Sequence, residues 1–355
     1  MSTRSEIITL IEASRKFLPA YCHKSLKVKK DLQEEEFCDC FIEFQDFNIL
    51  IQIKEREITA NSTNDDKWFE SKVIKKAKSQ IKDSINYLSD EGYLFFENGK
   101  QITINKHFQV IPVIIFLNDR ITSYKRVVYS KSIGMNINFF SLSDFKVMLD
   151  TVKIPYDILQ YLNFRETLLN NDLMGKVLID DVDPANTLMH RIESEKDFAE
   201  HYILRTYLSS VQAEEMVDYY NKIINDLSDT LGNVKSHLLD LLLASNHEIA
   251  AKISSIWIKA CERCSIENIY KPQSLHLNEV AALFYSCPIN YSQEEYDKFL
   301  NRYTILYSYK YKIKKIYILK FEKFDNDFCI SIGMHEFGDF IKDEFYESEI
   351  KRLGL

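Results

Sequence analysis

A carboxylate, an amide and a lysine occur at strand-like spacing near the beginning of this 355-residue chain. Asp39 lies in one mostly apolar run, and Gln52 and Lys54 lie in the next, beyond the polar residues around Asp46. Because successive strand side chains alternate between the two faces of a sheet, Gln52 and Lys54 share one face and Ile53 points to the other. The two runs therefore predict a β-hairpin that holds an acid, an amide and a cation close together.

The chemistry that suits these groups is metal-assisted hydrolysis of a phosphodiester bond. A tight turn centred near Asp46 places Asp39 opposite Ile53 or Lys54. Mg²⁺ prefers oxygen ligands and keeps several waters, so we expect Asp39, the Gln52 side-chain oxygen and the Ile53 carbonyl to hold Mg²⁺ or Mn²⁺. Lys54 would orient the attacking water or stabilise charge in the transition state. The alternative is an ion pair between Asp39 and Lys54 at the end of a sheet, because buried charges are costly unless they are paired.

An aspartate, a turn and then a hydrophobic-x-Gln-x-Lys run resemble the core of the PD-(D/E)XK phosphodiesterases, and the Gln-x-Lys form resembles the Mrr-type restriction endonucleases. By position, Asp39 matches the family's metal-binding aspartate, Gln52 its second ligand and Lys54 its catalytic lysine. The chain departs from the commoner pattern at Gln52, where glutamate is usual, and at Cys38, where the family's name has proline. The resemblance covers roughly the first half of the chain. It implies a metal-dependent endonuclease that acts on DNA, with RNA left open, in restriction-type antiviral defence.

The flanking elements agree with an α/β fold in which a mixed sheet is flanked by helices, as in a restriction-endonuclease-like core. Helical apolar spacing predicts helices over residues 4–21 and 68–88, and a further helix capped by Ser141 or Ser143. Apolar runs predict strands over residues 109–117, 126–130 and 136–140. The predicted order after the first helix is hairpin, helix, strand, strand and helix.

Polar residues on the two predicted helices could complete the site. Glu6 and Glu12 are the two glutamates that could match the one many family members carry on the first helix. Gln80 resembles a polar residue that faces the site in the family, and a solvated position is the equal alternative. Three lysines of the second helix are expected to contact phosphates, unless they form an ordinary solvated face: Lys72, Lys75 and Lys76.

Charge changes along the chain and predicts two domains. Residues 1–165 contain 24 Lys plus Arg and 22 Asp plus Glu, whereas the remainder contains 21 and 31. Asn, Asp, Gly and Pro cluster between residues 170 and 186, where we expect the boundary. The prediction is a nuclease-like domain over 1–170 and a mainly α-helical accessory, oligomerisation or regulatory domain over 185–355. The acidic second domain suits self-association or a protein partner better than a wide DNA-binding surface.

The second half carries weaker signals. Helices are predicted over residues 197–208, 213–231 and 237–264, and the chain is expected to end in a β-hairpin and a helix. Residues 303–321 are predicted to be extended. Within them, residues 309–314 alternate tyrosine or isoleucine with lysine, which predicts a strand that either stacks on bases or is half-buried with a solvated lysine face. Cys261 and Cys264 are expected to be buried free thiols, since structural zinc usually needs four ligands.

Composition also narrows the cellular location and the functional class of the protein. The seven cysteines have no disulfide-framework spacing, and no segment has the roughly 20 apolar residues that cross a bilayer, so we expect a cytoplasmic protein without a membrane partner. No glycine-rich phosphate loop occurs, so we do not expect an NTPase motor.

Two functions from different classes remain. One is the metal-dependent endonuclease. The other is a catalytically inactive nuclease-like subunit that binds partners or nucleic acid within a larger complex.

Overall fold

A computed structural model describes residues 3–30, 33–44, 47–56, 64–90, 93–96, 99–104, 109–170, 194–206, 211–264, 271–277, 279–288, 292–324 and 327–355. The chain divides into two compact units, Met1–His247 and Glu248–Leu355. The boundary predicted between residues 170 and 185 falls almost wholly outside the described residues. The helices over 195–243 belong to the first unit.

The described strands of the first unit form one mixed sheet. They are β1 (Cys22–Lys30), β2 (Gln33–Phe44), β3 (Phe47–Glu55), β4 (Tyr93–Phe95), β5 (Gln101–Thr103), β6 (Gln109–Leu117), β7 (Val127–Ser130) and β8 (Met135–Ser141). Their order across the sheet is β5-β4-β1-β2-β3-β6-β8-β7. β1, β2 and β3 pair antiparallel, whereas β3, β6 and β8 run parallel. The mixed α/β architecture predicted from the sequence is confirmed, and β1 is a strand that the prediction missed.

The described helical segments of the first unit follow the predicted order. They are α1 (Arg4–Phe17), a 3₁₀ turn (Pro19–Tyr21), α2 (Asp65–Trp68), a π-helical segment (Phe69–Ala77), α3 (Lys78–Asp90), α4 (Leu142–Thr151), α5 (Pro155–Asn170), α6 (Glu195–Thr206), α7 (Val211–Thr230) and α8 (His237–Leu243). The predicted cap of α4 is confirmed, since the Ser141 hydroxyl accepts a hydrogen bond from Asp144 N at 3.0 Å. Among the described residues, no helix is both long and apolar enough to cross a membrane.

Helices cover both faces of the sheet around the hairpin. Phe17 of α1 packs edge-to-face on Phe44 of β2, with ring centroids 5.7 Å apart. On the other face, Leu50 of β3 belongs to a buried cluster with Val73 and Ile81 of the π-helical segment and α3. Each such fully buried aliphatic or aromatic side chain contributes about 1.5–3 kcal/mol to stability. The hairpin is therefore held rigidly between two helical layers.

A buried ion-pair network ties α5 and α6 to β8. Arg165 and Glu195 are both fully buried, and Arg165 Nη2 lies 2.9 Å from Glu195 Oε2. Glu195 also accepts hydrogen bonds from Arg126 Nε at 3.2 Å and from the Tyr161 hydroxyl at 2.6 Å. Arg165 donates further to the carbonyl of Phe139 on β8 at 2.8 Å. Because both charged side chains are hydrogen-bonded, the network holds α5 and α6 to β8. The apolar spacing of the sequence does not indicate this contact.

A smaller charged cluster joins the hairpin to the segment before α8 and makes stability depend on pH. Burial alone would raise the pKa of Glu43, but the nearby His23 ring, 3.7 Å away, and a hydrogen bond from Lys235 hold it below its usual value. A carboxyl with a depressed pKa in the folded state stabilises the fold above its unfolded pKa, and this stabilisation is lost as the pH falls through the folded pKa. Glu43→Gln should therefore cost about 1 kcal/mol at pH 7 and almost nothing at pH 3 in urea unfolding. Glu34→Gln is the control, since its exposed pair with Lys27 should matter little at either pH.

The second unit contains a small sheet with a helix between its two central strands. Its described elements are α9 (His247–Arg263, which starts at the boundary), β9 (Gln273–Leu277), β10 (Val280–Ser286), α10 (Gln293–Tyr311), β11 (Lys315–Phe324), β12 (Asp327–Glu336) and α11 (Glu344–Leu353). The strand order is β12-β11-β10-β9, and β10 and β11 run parallel. The predicted closing hairpin and helix are present as β11, β12 and α11, whereas β9 and β10 were not predicted.

The extended structure predicted over residues 303–321 is wrong up to Tyr311, because these residues belong to α10, whereas its last part lies in β11. Tyr303, Tyr307 and Tyr311 recur every four residues, and their rings contact one another with centroids 6.2 and 4.5 Å apart. Lys312 ends the helix with a left-handed backbone (φ 57°). Tyr309 is buried, so it does not offer a free face to a base. Tyrosine and lysine alternation thus arises here from a helix with an aromatic face.

The Cys261–Cys264 pair lies at the end of α9. Cys264 is buried, and its thiol donates to the carbonyls of Ala260 and Phe321 at 3.2 and 3.1 Å. Cys261 is half-buried, and both thiols are free. Burial raises the pKa of the Cys264 thiol to about 12, so it is an unreactive group.

Candidate active site

The pairing of β2 with β3 places the predicted site residues together with a register different from the predicted one. Phe44 pairs with Phe47, and Cys40 pairs with Ile51. The regular pairing ends there. The Asp39 carboxylate contacts Ile53 N and Lys54 Nζ, which belong to the two residues that the prediction placed opposite it. Residues 45 and 46, between the two strands, lie outside the described residues. The Phe44–Phe47 pair differs by one residue from the register of a turn centred on Asp46.

Asp39 lies where the regular ladder between β2 and β3 stops. Beyond the Cys40–Ile51 pair, the Asp39 carboxylate accepts a hydrogen bond from Ile53 N at 2.5 Å. On the other side of β2, Lys24 and Leu26 of β1 pair with the two neighbours of Asp39, and Ser25 between them has φ 51°. A serine in this left-handed region is uncommon, and such backbone strain is concentrated at functional sites. Asp39 is therefore at an irregular point of an otherwise regular sheet.

The ammonium group of Lys54 lies among three oxygen atoms. Lys54 Nζ is 2.8 Å from the Ile53 carbonyl, 3.4 Å from Gln52 Oε1 and 3.6 Å from Asp39 Oδ2. These are the three groups that the sequence analysis predicted as metal ligands. Their oxygens all lie within 3.6 Å of Lys54 Nζ, and oxygen donors of this kind are the ligands that a hard divalent cation prefers. Such an ion would replace the Lys54 ammonium at that point.

The charges at this point are largely withdrawn from solvent. The side chains of Asp39 and Lys54 are 10% and 16% exposed, and Gln52 is buried. Burial raises the pKa of Asp39, although Lys54 and the Ile53 N–H act in the opposite direction. Burial also lowers the pKa of Lys54, although Asp39 opposes this. The raised pKa of the carboxyl and the lowered pKa of the lysine both disfavour the charged form. Such shifted pKa values are typical of functional sites.

The π-helical segment and α3 lie over the same face as Gln52 and Lys54. Leu50, two residues before Gln52, packs against them, and the charge of Lys76 lowers the pKa of Lys54. Lys76 is thus near the site. Lys72 and Lys75 are exposed on the same segment, and Lys75 lies 3.8 Å from Glu70. A π-helical stretch is itself frequent at functional sites.

Gln80 is positioned by the contact between α3 and β2. Ser84, one turn further along, donates to the carbonyl of Phe37, two residues before Asp39. The Gln80 Oε1 atom is buried, and no partner for it is present in the part of the chain that the structure describes. The predicted supporting residue therefore lies over β2 with an unused acceptor.

Of the two glutamates on α1, Glu6 is the one that lies near the site. Ser5 donates to Glu55 of β3 through its main-chain N at 2.9 Å and its hydroxyl at 2.7 Å, which fixes the start of α1. Glu6 is close enough to raise the pKa of Asp39. Glu12 instead pairs with Arg15 and with Lys146 of α4. Glu36, which the sequence analysis did not select, also interacts with Asp39 and Lys54.

Among the described residues, no three His, Cys, Asp or Glu side chains are grouped so that they could hold a metal ion. A divalent cation at Asp39 would therefore depend on the neutral oxygens of Gln52 and Ile53 and on water.

Comparison of the chain with protein-family models, with curated proteins and with solved structures found no match. What the site can do therefore rests on its own geometry and chemistry.

Proposed function

We propose that this chain is a metal-dependent nuclease that hydrolyses phosphodiester bonds, with DNA as the preferred substrate class, and that its first unit has a PD-(D/E)XK-like fold. One observation carries the proposal: oxygens of Asp39, Gln52 and Ile53 lie around the Lys54 ammonium. The order of α1, the β2–β3 hairpin, α3 and β6 supports it, since this is the order expected from the resemblance.

Each residue has a definite role in this proposal. Asp39, the Gln52 amide oxygen and the Ile53 carbonyl hold Mg²⁺ or Mn²⁺, and water supplies the remaining ligands. When bound, such an ion activates a water molecule and stabilises the negative charge that develops on the phosphate. Lys54 then stands beside this point, where its ammonium orients the attacking water or offsets charge in the transition state.

The substrate class follows from the lysines near the site. Lys76 lies near Lys54, and Lys72 and Lys75 are exposed on the same segment, so a phosphate backbone could follow this surface. The resemblance of the Gln-x-Lys motif to restriction-type enzymes is what favours DNA and a role in antiviral defence. RNA has the same chemistry at phosphorus, so it belongs in the same test.

The test is cleavage of plasmid DNA, linear DNA and RNA with Mg²⁺, with Mn²⁺ and with EDTA. Asp39→Asn keeps the shape of the side chain and an acceptor for Ile53 N but removes the charge. We expect it to lower the cleavage rate at least about 10²-fold, because the divalent ion loses its one direct carboxylate ligand. Asp83→Asn, an exposed change on α3, is the matched control and should cleave normally. Unchanged cleavage by a folded Asp39→Asn protein would contradict the proposal.

The alternative is a nuclease-like subunit without catalysis that binds partners or nucleic acid. The observation that favours it is the position of Lys54, whose ammonium already neutralises Asp39. Mn²⁺ binding separates the two functions: binding that is lost in Asp39→Asn supports the nuclease, and no binding by the wild-type protein supports the subunit. Self-association or partner binding through the C-terminal part stays a prediction.

A further inference from the structure

A β-bulge in β2 brings a second carboxylate to the side of the strand that Asp39 occupies. Glu36 and Asp39 are three residues apart, and in a regular strand they would lie on opposite faces. The pairing with β1 is not regular here, because Leu26 pairs with Cys38 while the next residue, Lys27, pairs with Glu36.

The extra residue reverses the orientation of the strand before it. Leu26 and Lys27 are neighbours and point to opposite faces, so their partners Cys38 and Glu36 do so too. Asp39 is adjacent to Cys38 and points away from it, which places Glu36 and Asp39 on the same side. Bulges commonly re-aim a side chain next to an active site.

The charges of these residues interact. The pKa of Glu36 is raised above its usual value by partial burial and then by the charges of Asp39 and Glu6, while Lys54 acts in the opposite direction. Glu36 remains exposed to solvent, whereas Asp39 is largely buried. Glu36 is therefore near enough to influence a cation at Asp39, and water has access to its carboxylate.

A divalent ion at Asp39 would need a second negative charge nearby. Gln52 supplies an oxygen but no negative charge at the second ligand position, and Asp39 alone would have to balance a divalent ion. The three oxygens already surround one cation, the Lys54 ammonium, so their arrangement suits positive charge. Since no three carboxylates are grouped for direct coordination among the described residues, Glu36 would act through one of the waters that Mg²⁺ retains.

We propose that Glu36 is the second carboxylate of this metal site, that it holds a water on the divalent ion, and that it replaces the charge that Gln52 lacks. This inference rests on the proposed function. It assigns to Glu36 a positioning role for the metal rather than direct contact with the substrate.

The experiment is Mn²⁺ binding to the full chain, measured by electron paramagnetic resonance or calorimetry. Glu36→Gln should weaken binding about 10-fold or more, which is the usual cost of losing an outer partner of a metal site. Glu35→Gln, the neighbouring acid on the same strand, is the matched control and should bind within about 2-fold of wild type, because its side chain lies on the other side of β2. Circular dichroism would show that both variants are folded.

A charge swap distinguishes this role from a purely structural one. Gln52→Glu in the Glu36→Gln background should restore Mn²⁺ affinity, because it returns the missing carboxylate to the second ligand position. Wild-type affinity in Glu36→Gln, together with lost binding in Asp39→Asn, would overturn the role of Glu36 and leave the proposed function standing. No Mn²⁺ binding by the wild-type chain would overturn both.

Discussion

Arg165→Met is expected to lower the free energy of unfolding by about 3–5 kcal/mol, the cost of removing one member of a buried ion pair. The change leaves Glu195 fully buried, with Arg126 and the Tyr161 hydroxyl as its remaining partners among the described residues. It also removes the donor to the Phe139 carbonyl on β8. Methionine approximates the length of the arginine stem, so the loss reports the charge and its hydrogen bonds more than a cavity. Urea unfolding of the full chain measures it.

Two comparisons make this result specific. Arg15→Met removes an exposed arginine that pairs with Glu12, and it should cost less than about 1 kcal/mol. Arg165→Met combined with Glu195→Gln should be less destabilising than the sum of the two single changes, because no unpaired charge then remains buried. A loss below 1 kcal/mol in Arg165→Met would show that the network does not hold α5 and α6 to the sheet.

This network also shows what sequence patterns leave out. Arg165 and Glu195 are 30 residues apart, and nothing in the periodicity of either helix indicates that they meet. By contrast, β6 was predicted with its observed bounds, because an apolar run between polar segments is sufficient to define a central parallel strand. Local patterns predicted many of the elements but missed β1, β9 and β10, whereas polar contacts between distant elements required the tertiary structure.

The second unit shows how a local pattern can mislead. In α10, lysines alternate with aromatic residues over the last turn, which resembles the period of a strand. Tyrosines also recur at intervals of four, from Tyr303 through Tyr307 to Tyr311, and the contacts between their rings lie along one face of the helix. Both periods were present in the sequence, and the choice between them depended on packing against β10 and β11.

The candidate site was predicted in composition but not in detail. Alternation along β3 was sufficient to place Gln52 and Lys54 on one face, and a hairpin was sufficient to bring Asp39 to them. The register depended on which two residues form the turn, and the role of Glu36 depended on a bulge set by pairing with β1, a strand that was not predicted. Neither feature can be derived from β2 and β3 alone.

The position of Lys54 leads to the other prediction with a large expected effect. Its ammonium is the cation at the point where Asp39, Gln52 and Ile53 converge, so it competes with a divalent ion in the resting protein and serves the reaction beside it. Lys54→Ala should therefore lower cleavage without lowering Mn²⁺ affinity. Cleavage should fall about 10²–10³-fold, the usual cost of losing one donor that stabilises transition-state charge. Affinity for Mn²⁺ should stay the same or rise, because the competing charge is gone.

The two readouts together decide what Lys54 does. Lys75→Ala, an exposed change on the neighbouring π-helical segment, is the control for general loss of positive charge, and it should alter only nucleic-acid binding. Lys54→Ala should remain folded and retain most of its DNA binding. A Lys54→Ala protein that cleaves at the wild-type rate would remove Lys54 from the reaction. One that is inactive and also binds Mn²⁺ less tightly would mean that Lys54 organises the ligands around Asp39, because a competing cation can only weaken binding while it is present.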